Sequence, residues 1–190
     1  PWLLLSAPHA WASGFCGEGV RVGIFDTGLV DTNLHKHFRT VTIKERTNWT
    51  ARTRKRHGRR EAEDANPAAI DGHGHGTFVT GIIAATPDDV VLRWSQELVR
   101  NQTLIDRPPS DICSPPGLAP RAELYIFRVF TDAQLSLTSW FLDAFNYAIA
   151  RRLHVINLSI GGPDFLDQPF VDKVLELSAN GILLVSAIGN

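Results

Sequence analysis

Three polar side chains in this sequence stand next to apolar segments, and their types are those of an acid, a base and an amide donor. Asp26 directly follows the apolar run 20–25, His75 opens a segment of small and apolar residues, and Asn190 comes shortly after the apolar run 182–187. A carboxylate can orient an imidazole, the imidazole can accept a proton from a nucleophile, and an amide can donate a hydrogen bond to an oxyanion. We therefore predict nucleophilic hydrolysis, with Asp26 orienting, His75 as base and Asn190 in the oxyanion hole.

The Asp26-Thr27-Gly28 sequence leaves two other interpretations open. The carboxylate can simply cap a turn, and an apolar pair followed by Asp-Thr-Gly is also the signature of aspartic proteases, in which two carboxylates share one proton. The chain holds one copy of that signature, so this mechanism would need a homodimer. Leu29 also replaces the small polar residue that usually follows.

Asp71 and His73 precede the predicted base and raise the question of a metal site. An acid and a His-x-His spacing can ligate a metal, but no further cluster of His or Cys follows in the sequence. We predict that both residues line the loop beside His75. No metal ligand is assigned, and the chemistry requires no cofactor.

The elements that must position these residues alternate between strand and helix. Such alternation predicts βαβ units, and hence an α/β fold with a parallel sheet covered on both faces. The helix around 138–152 is the clearest, because its apolar residues fall on one stripe. Segments 51–70 and 86–116 are polar and are predicted to be surface insertions. The predicted strands are 20–25, 41–47, 122–130, 154–159 and 182–187, the helices are 75–85, 138–152 and 169–180, and the stripe is Phe141, Ala144, Phe145, Ala148 and Ile149.

Composition narrows the class of protein. The 190 residues carry a net charge of −1, which argues against a general binder of nucleic acid or of membrane surfaces.

Cys16 and Cys113 permit one disulfide without requiring it. The sequons at Asn48 and Asn101 lie in polar segments and are predicted glycosylation sites, whereas Asn157 lies in an apolar strand and is predicted to be too buried.

The motifs together carry a family resemblance. The chain resembles the subtilase superfamily of serine proteases, and within it a branch of membrane-anchored processing enzymes. The resemblance implies a subtilisin-like three-layer α/β/α fold with a mostly parallel sheet. It also implies that residues 1–190 are part of a catalytic domain, truncated before the helix that bears the nucleophilic serine, and that Ser159, Ile160 and Gly161 form a substrate-binding wall. The segments that carry the resemblance are 25–29, 44–50, 74–79, 126–131, 138–149 and 157–165.

The same resemblance implies a function. It is that of a serine endopeptidase that processes membrane-bound precursors in the lumen of the Golgi and endoplasmic reticulum, as a glycoprotein whose membrane anchor belongs to the full-length protein. Its polypeptide substrates would carry Arg four positions before the cut and a hydrophobic residue two before. A structural calcium ion is left open. The 190 residues alone are expected to be inactive, and the alternative is a catalytically inactive subtilase-like binding module.

Overall fold

The computed structural model describes residues 5–50, 54–56, 59–61, 69–86, 117–161 and 167–187. Contacts divide the chain into two compact units, which are treated separately below. The sheet unit comprises residues 21–30, 43–77 and 124–190, and the second unit comprises residues 1–20, 31–42 and 78–123. None of the described helices has the length and apolar character needed to cross a membrane.

The sheet unit is built on five parallel strands. Their spatial order is β2-β5-β1-β6-β7, so the first strand of the chain lies in the middle, with later strands added on both sides. This parallel sheet with its helices agrees with the three-layer α/β/α fold expected from the sequence. Along the chain the strands are β1 Arg21–Asp26, β2 Ile43–Asn48, β3 Arg54–Arg56, β4 Arg59–Glu61, β5 Glu123–Arg128, β6 Val155–Leu158 and β7 Leu183–Ser186.

Parallel pairing brings the carboxyl ends of the strands to one edge of the sheet. In the ladder between β1 and β6, Val22 lies opposite Val155 and Ile24 lies opposite Asn157. On the other side of β1, the backbone N–H of Val129 donates to the carbonyl of Asp26 at 2.9 Å. Open α/β sheets bind their ligands at this edge, and the residues that end β1, β5 and β6 all reach it.

An aromatic core packs on one face of the sheet. Phe25 of β1 stacks on Phe127 with ring centroids 4.4 Å apart and on Phe145 at 5.0 Å. Phe145 belongs to the helix Thr138–Ala150, for which the sequence predicts a buried apolar stripe. The residues of the stripe are buried except Ile149, which is partly buried, and Trp140 of the same helix is buried as well. Along the chain the helices are α1 Ala7–Ala12, α2 His75–Ala84, α3 Thr138–Ala150 and α4 Gln168–Ala179, with a 3-10 turn at Lys36–Phe38.

The predicted strands and helices match the observed ones to within about two residues at each end. The segment 51–70, predicted as a loop, contains the short antiparallel pair β3–β4, in which Arg54 lies opposite Glu61. Its other described residues are 69 and 70. Segment 86–116 lies outside the described residues apart from Thr86, so its prediction as an insertion stays a prediction.

The second unit shows how α2 ends. Backbone N–H groups of residues 117–119 donate to the carbonyls of Ala85, Ile82 and Ile83, which satisfies the last carbonyls of the helix. The small and apolar residues of this segment predict a buried helix, but Phe78 is 67% exposed and Ile82 is 47% exposed. These two residues are four apart and share one face, whereas the buried side chains of α2 lie elsewhere on the helix.

A small apolar cluster lies in the second unit beside the cysteine. Trp11 packs with Ala7, Cys16 and Leu118, and its indole N–H donates to the carbonyl of Leu118 at 2.9 Å. Cys16 is buried and disulfide-bonded. The other cysteine of the sequence, Cys113, lies outside the described residues.

Candidate active site

Asp26 is a buried carboxylate at the carboxyl end of the central strand β1. Its residue is 1% exposed, and its Oδ1 accepts the backbone N–H of Thr27 at 2.8 Å. The chain then turns sharply at Gly28, where φ is +112° and an added Cβ would lie 2.4 Å from the carbonyl oxygen of Ala69. An acid held this way has few rotamers to choose from, and it points where open α/β sheets bind ligands.

His75, the first residue of α2, meets this carboxylate. Its Nδ1 lies 2.8 Å from Oδ1 and 2.9 Å from Oδ2 of Asp26. The side chain of His75 is 40% exposed and that of Asp26 is 2% exposed. With the carboxylate ionised, Nδ1–H donates to it, and the lone pair of the imidazole is then on Nε2. The structure thus brings together the two residues predicted as acid and base.

Close backbone approach makes this pairing sterically feasible. A Cβ added to Gly76 would lie 2.3 Å from the carbonyl oxygen of Gly28 and 3.2 Å from Cβ of Asp26. The residue after the imidazole must therefore be glycine if α2 is to begin directly against the turn that follows β1. Residues 26–28 (Asp-Thr-Gly) and 75–77 (His-Gly-Thr) therefore pack directly against each other.

Asp71 organises the loop around the pair. Its Oδ1 accepts the hydroxyl of Thr27 at 2.8 Å and the backbone N–H groups of His73 and Gly74 at 3.0 and 2.8 Å. Its Oδ2 accepts the N–H and the hydroxyl of Thr77 at 2.8 and 2.6 Å. Thr27 in turn accepts the N–H of Gly76 at 3.0 Å. Two N–H groups in the first turn of α2 are thereby satisfied.

This network changes the acidity of Asp71. Burial raises the pKa of its carboxyl, but hydrogen bonds from the Thr77 hydroxyl, the Gly74 and Thr77 amides and the Thr27 hydroxyl outweigh burial, so the pKa lies below its ordinary value. Asp71 is consequently ionised at neutral pH, and its negative charge is favourable beside the N-terminal end of α2.

The predicted substrate wall borders the same cleft as the acid–base pair. A cavity of about 240 Å³ is lined by the acid–base pair and Thr27 together with Ser159, Ile160 and Gly161. The hydroxyl of Ser159 donates to Oδ1 of Asn157 at 3.0 Å, so it is engaged within its own segment. The structure therefore places every predicted site residue that it describes, Asn48 excepted, around one opening.

Two further cleft residues, Phe130 and Gln134, were missed by sequence reasoning. Phe130 follows β5 at the carboxyl edge of the sheet, a position that could have indicated it, but the predicted strand 122–130 absorbed it. Gln134 has a left-handed φ of +59°, a conformation that is uncommon outside glycine. No pattern in the sequence around Gln134 signals that turn.

Other predicted sites have separate outcomes. Both carboxylate oxygens of Asp71 are occupied by its own loop, and no group of three potential metal ligands occurs among the described residues. At Asn48, Oδ1 accepts the N–H and hydroxyl of Thr50, and Thr50 is fully buried. The threonine of this sequon is therefore buried, and glycosylation of Asn48 stays a prediction. Asn101 and Asn190 lie outside the described residues.

Comparison with known proteins decides the family. The sequence profile of the subtilase family matches residues 17–190. The chain is a subtilase. Among its relatives, the membrane-bound transcription factor site-1 protease of Homo sapiens is 49% identical over 187 residues. A subtilisin-like protease of Arabidopsis thaliana is 47% identical over 187 residues, and the major intracellular serine protease of Bacillus subtilis is 29% identical over 189 residues.

The alignments cover different shares of each protein. Each of the three covers 98% of this subtilase. They cover 14% of the human protein, 14% of the Arabidopsis protein and 48% of the Bacillus protein. This subtilase therefore corresponds to a small part of the human and Arabidopsis proteins and to about half of the Bacillus protein.

Proposed function

We propose that this subtilase contributes the acid and base of a serine endopeptidase that processes membrane-bound precursor proteins in the lumen of the secretory pathway. One observation carries the proposal, namely the contact between a buried Asp26 and a half-exposed His75 that borders a cleft. The family, the position of the pair at the carboxyl edge of a parallel sheet, and the predicted substrate wall that lines the same cleft all support this chemistry.

In the proposed mechanism, each residue has one task. The Asp26 carboxylate accepts a hydrogen bond from Nδ1–H of His75, which fixes the tautomer of the imidazole. It also stabilises the imidazolium that forms when Nε2 accepts the proton of the attacking serine hydroxyl. His75 then returns this proton to the amine that leaves. The nucleophile is a serine from sequence outside these 190 residues, and Asn190 donates to the oxyanion of the tetrahedral intermediate.

The proposed substrate is an extended polypeptide. Ser159, Ile160 and Gly161 follow β6 and line the same cleft as His75, and the proposal is that their backbone pairs with a peptide laid across the edge of the sheet. An Arg four positions before the cut and a hydrophobic residue two before are proposed from the likeness to site-1 proteases. The name of the human relative refers to a membrane-bound transcription factor, which supports membrane-bound precursors as the substrate class.

The secretory location is also a proposal. Cys16 is disulfide-bonded, and disulfides persist in oxidising compartments and are rare in the cytosol. The Golgi and endoplasmic reticulum are proposed from the likeness to site-1 proteases, together with a membrane anchor in the full-length protein.

The test is cleavage of a membrane-anchored reporter by the full-length protein that contains this chain. We expect cleavage at a site with Arg four positions before the cut, and its loss in Asp26→Asn and His75→Ala proteins that accumulate at normal levels. His9→Ala is the matched control, because His9 is exposed on α1 and should leave cleavage unchanged. Cleavage that survives loss of His75 would refute the proposal.

The alternative, a catalytically inactive binding module, makes the opposite prediction. The wild-type protein would then bind the reporter without cutting it and would not react with a serine-directed phosphonate. That result would leave the family assignment intact and would refute the proposed protease activity.

A further inference from the structure

One fully buried charge in the sheet unit takes no part in the proposed chemistry. Arg128, the last residue of β5, has a side chain that is 0% exposed and is among the largest fully buried side chains described. Side chains alternate along a strand, so Arg128 faces the side opposite Phe127, away from the aromatic core. Burying a guanidinium costs free energy unless its N–H groups are hydrogen-bonded. The hydrogen-bond partners of Arg128 therefore explain why it can be buried here.

Those partners come from three separate segments. Nη1 of Arg128 donates to the carbonyl of Thr27, next to the acid, and to the carbonyl of Ile70 at 3.1 Å, at the start of the loop that leads to the base. It also lies 3.1 Å from Oδ1 of Asp132. The same Oδ1 accepts the backbone N–H of Gly72 at 3.0 Å.

The contacts of Arg128 join two loops that Thr27, Asp71 and Gly76 also join. We name residues 26–28 the acid loop and residues 70–77 the base loop. Arg128 binds a carbonyl in each loop directly, and Asp132 connects Arg128 to the base loop a second time through Gly72. Asp132 lies between Phe130 and Gln134, so the ion pair also anchors the segment that closes one side of the cleft.

We propose that Arg128 is a positioning residue that sets the alignment of Asp26 with His75 by fixing the acid loop to the base loop. This inference rests on the proposed function, since it assigns Arg128 a part in the same reaction. Arginine suits the task because it stays charged and the two N–H bonds of one terminal nitrogen diverge, so Nη1 can hold carbonyls from two different segments. The Thr27 peptide is held at its carbonyl by Arg128 and at its side chain by Asp71 and Gly76.

A merely structural role makes a different prediction. In that case Arg128 would support folding, and its loss would lower the amount of active protein without changing the turnover of each active molecule. A positioning role requires that each folded molecule turn over more slowly, because small misplacements of reacting groups are expensive in rate.

The experiment measures kcat per active site in the full-length protein that contains this chain, after titration with a serine-directed phosphonate. We expect kcat of Arg128→Met to fall about 10- to 100-fold. Arg128→Lys, which retains the charge, should recover part of that loss, and KM should change less than kcat. Arg121→Met is the matched control, because Arg121 is half-exposed and pairs only with the exposed Glu18 among the described contacts.

A double-variant cycle makes the test specific. If Arg128 acts by aligning the acid with the base, its substitution should cost little in an Asp26→Asn background, where the pair no longer functions as one unit. Independent losses that multiply in the double variant, or unchanged kcat per titrated site in Arg128→Met, would overturn the inference. If Arg128→Met does not accumulate, Arg128→Lys and Asp132→Asn carry the same cycle.

A crystal structure of the Arg128→Met protein, or of Arg128→Lys, separates this inference from the proposed function. We expect the sheet to be retained and Nδ1 of His75 to move out of hydrogen-bond distance of Asp26. An unaltered contact would overturn the inference even if the protein is a protease. A broken contact would support it even if the wild-type protein proved inactive.

Discussion

Nδ1 of His75 lies 2.8 Å from Oδ1 of Asp26, across 49 positions of sequence. The acid is buried and the imidazole is half-exposed, which is the burial expected when one group orients and the other exchanges a proton with a substrate. The pair depends on supports that can be removed one at a time, namely glycines that allow close approach, Asp71, and Arg128.

Two glycines of α2 should respond in opposite ways to alanine. Gly76→Ala places a Cβ 2.3 Å from the carbonyl oxygen of Gly28, so the helix start must move away from the acid loop. We expect a loss of about 1–3 kcal/mol of unfolding free energy and a large loss of activity. Gly81→Ala meets only the Phe38 ring at 3.8 Å and should be neutral or stabilise the helix by about 0.5–1 kcal/mol. Urea denaturation measures both; equal effects at the two positions would contradict the close-approach account.

Asp71 should contribute to stability through its hydrogen bonds. Asp71→Asn replaces one acceptor oxygen by a donor that faces N–H and O–H groups of the base loop. Because Asp71 is only about half-buried, we expect a loss near 1 kcal/mol of unfolding free energy. Asp31→Asn is the control, since Asp31 caps a single exposed N–H at Asn33, and it should change stability by less than about 0.5 kcal/mol. A smaller effect at Asp71 than at Asp31 would show that the network is not stabilising.

The pH dependence of stability should carry the signature of Asp71. Its pKa is lower in the folded protein than its ordinary value of 3.8, so the unfolded chain binds the proton more readily. The stabilisation is therefore fully present above that value and is lost as the pH falls through the lower, folded pKa. Unfolding free energy measured from pH 6 downward should decline less steeply below pH 3.8 in Asp71→Asn than in the wild type. Parallel curves for the two proteins would refute this assignment.

Inhibitors should separate the serine mechanism from the aspartic one that Asp26-Thr27-Gly28 left open. In the structure Asp26 pairs with an imidazole, whereas an aspartic protease needs a second carboxylate that shares its proton. We expect a serine-directed phosphonate to abolish hydrolysis by the full-length protein and a pepstatin-like compound to leave it unchanged. Inhibition by pepstatin alone would reverse the assignment.

Sequence reasoning selected Asp26 and His75, which the structure brings into contact, because each stands where a strand ends or a helix begins. Asp26 ends an apolar strand and His75 begins a helix, and parallel strands bring their carboxyl ends to one edge, so type and position together were sufficient. The wall at Ser159, Ile160 and Gly161 reached the cleft for the same reason, since it follows β6.

Other features depend on how loops run, which periodicity does not encode. From the sequence, Arg128 is only a polar residue near the end of an apolar strand. The folded structure is needed to show that the carbonyls of Thr27 and Ile70 accept hydrogen bonds from it. Gln134 reaches the cleft through a left-handed turn that its residue type does not favour. The exposure of Phe78 was missed because an apolar residue in a helix predicts a buried face without saying which neighbour covers it.

The most direct measurement is kcat of the full-length protein with Asp26→Asn, His75→Ala and both substitutions together. Groups that act as one unit are not additive, so we expect the double variant to be no slower than His75→Ala alone, with Asp26→Asn reduced about 10⁴-fold. Losses that multiply in the double variant, or an Asp26→Asn protein with wild-type turnover, would contradict a shared role for the two residues.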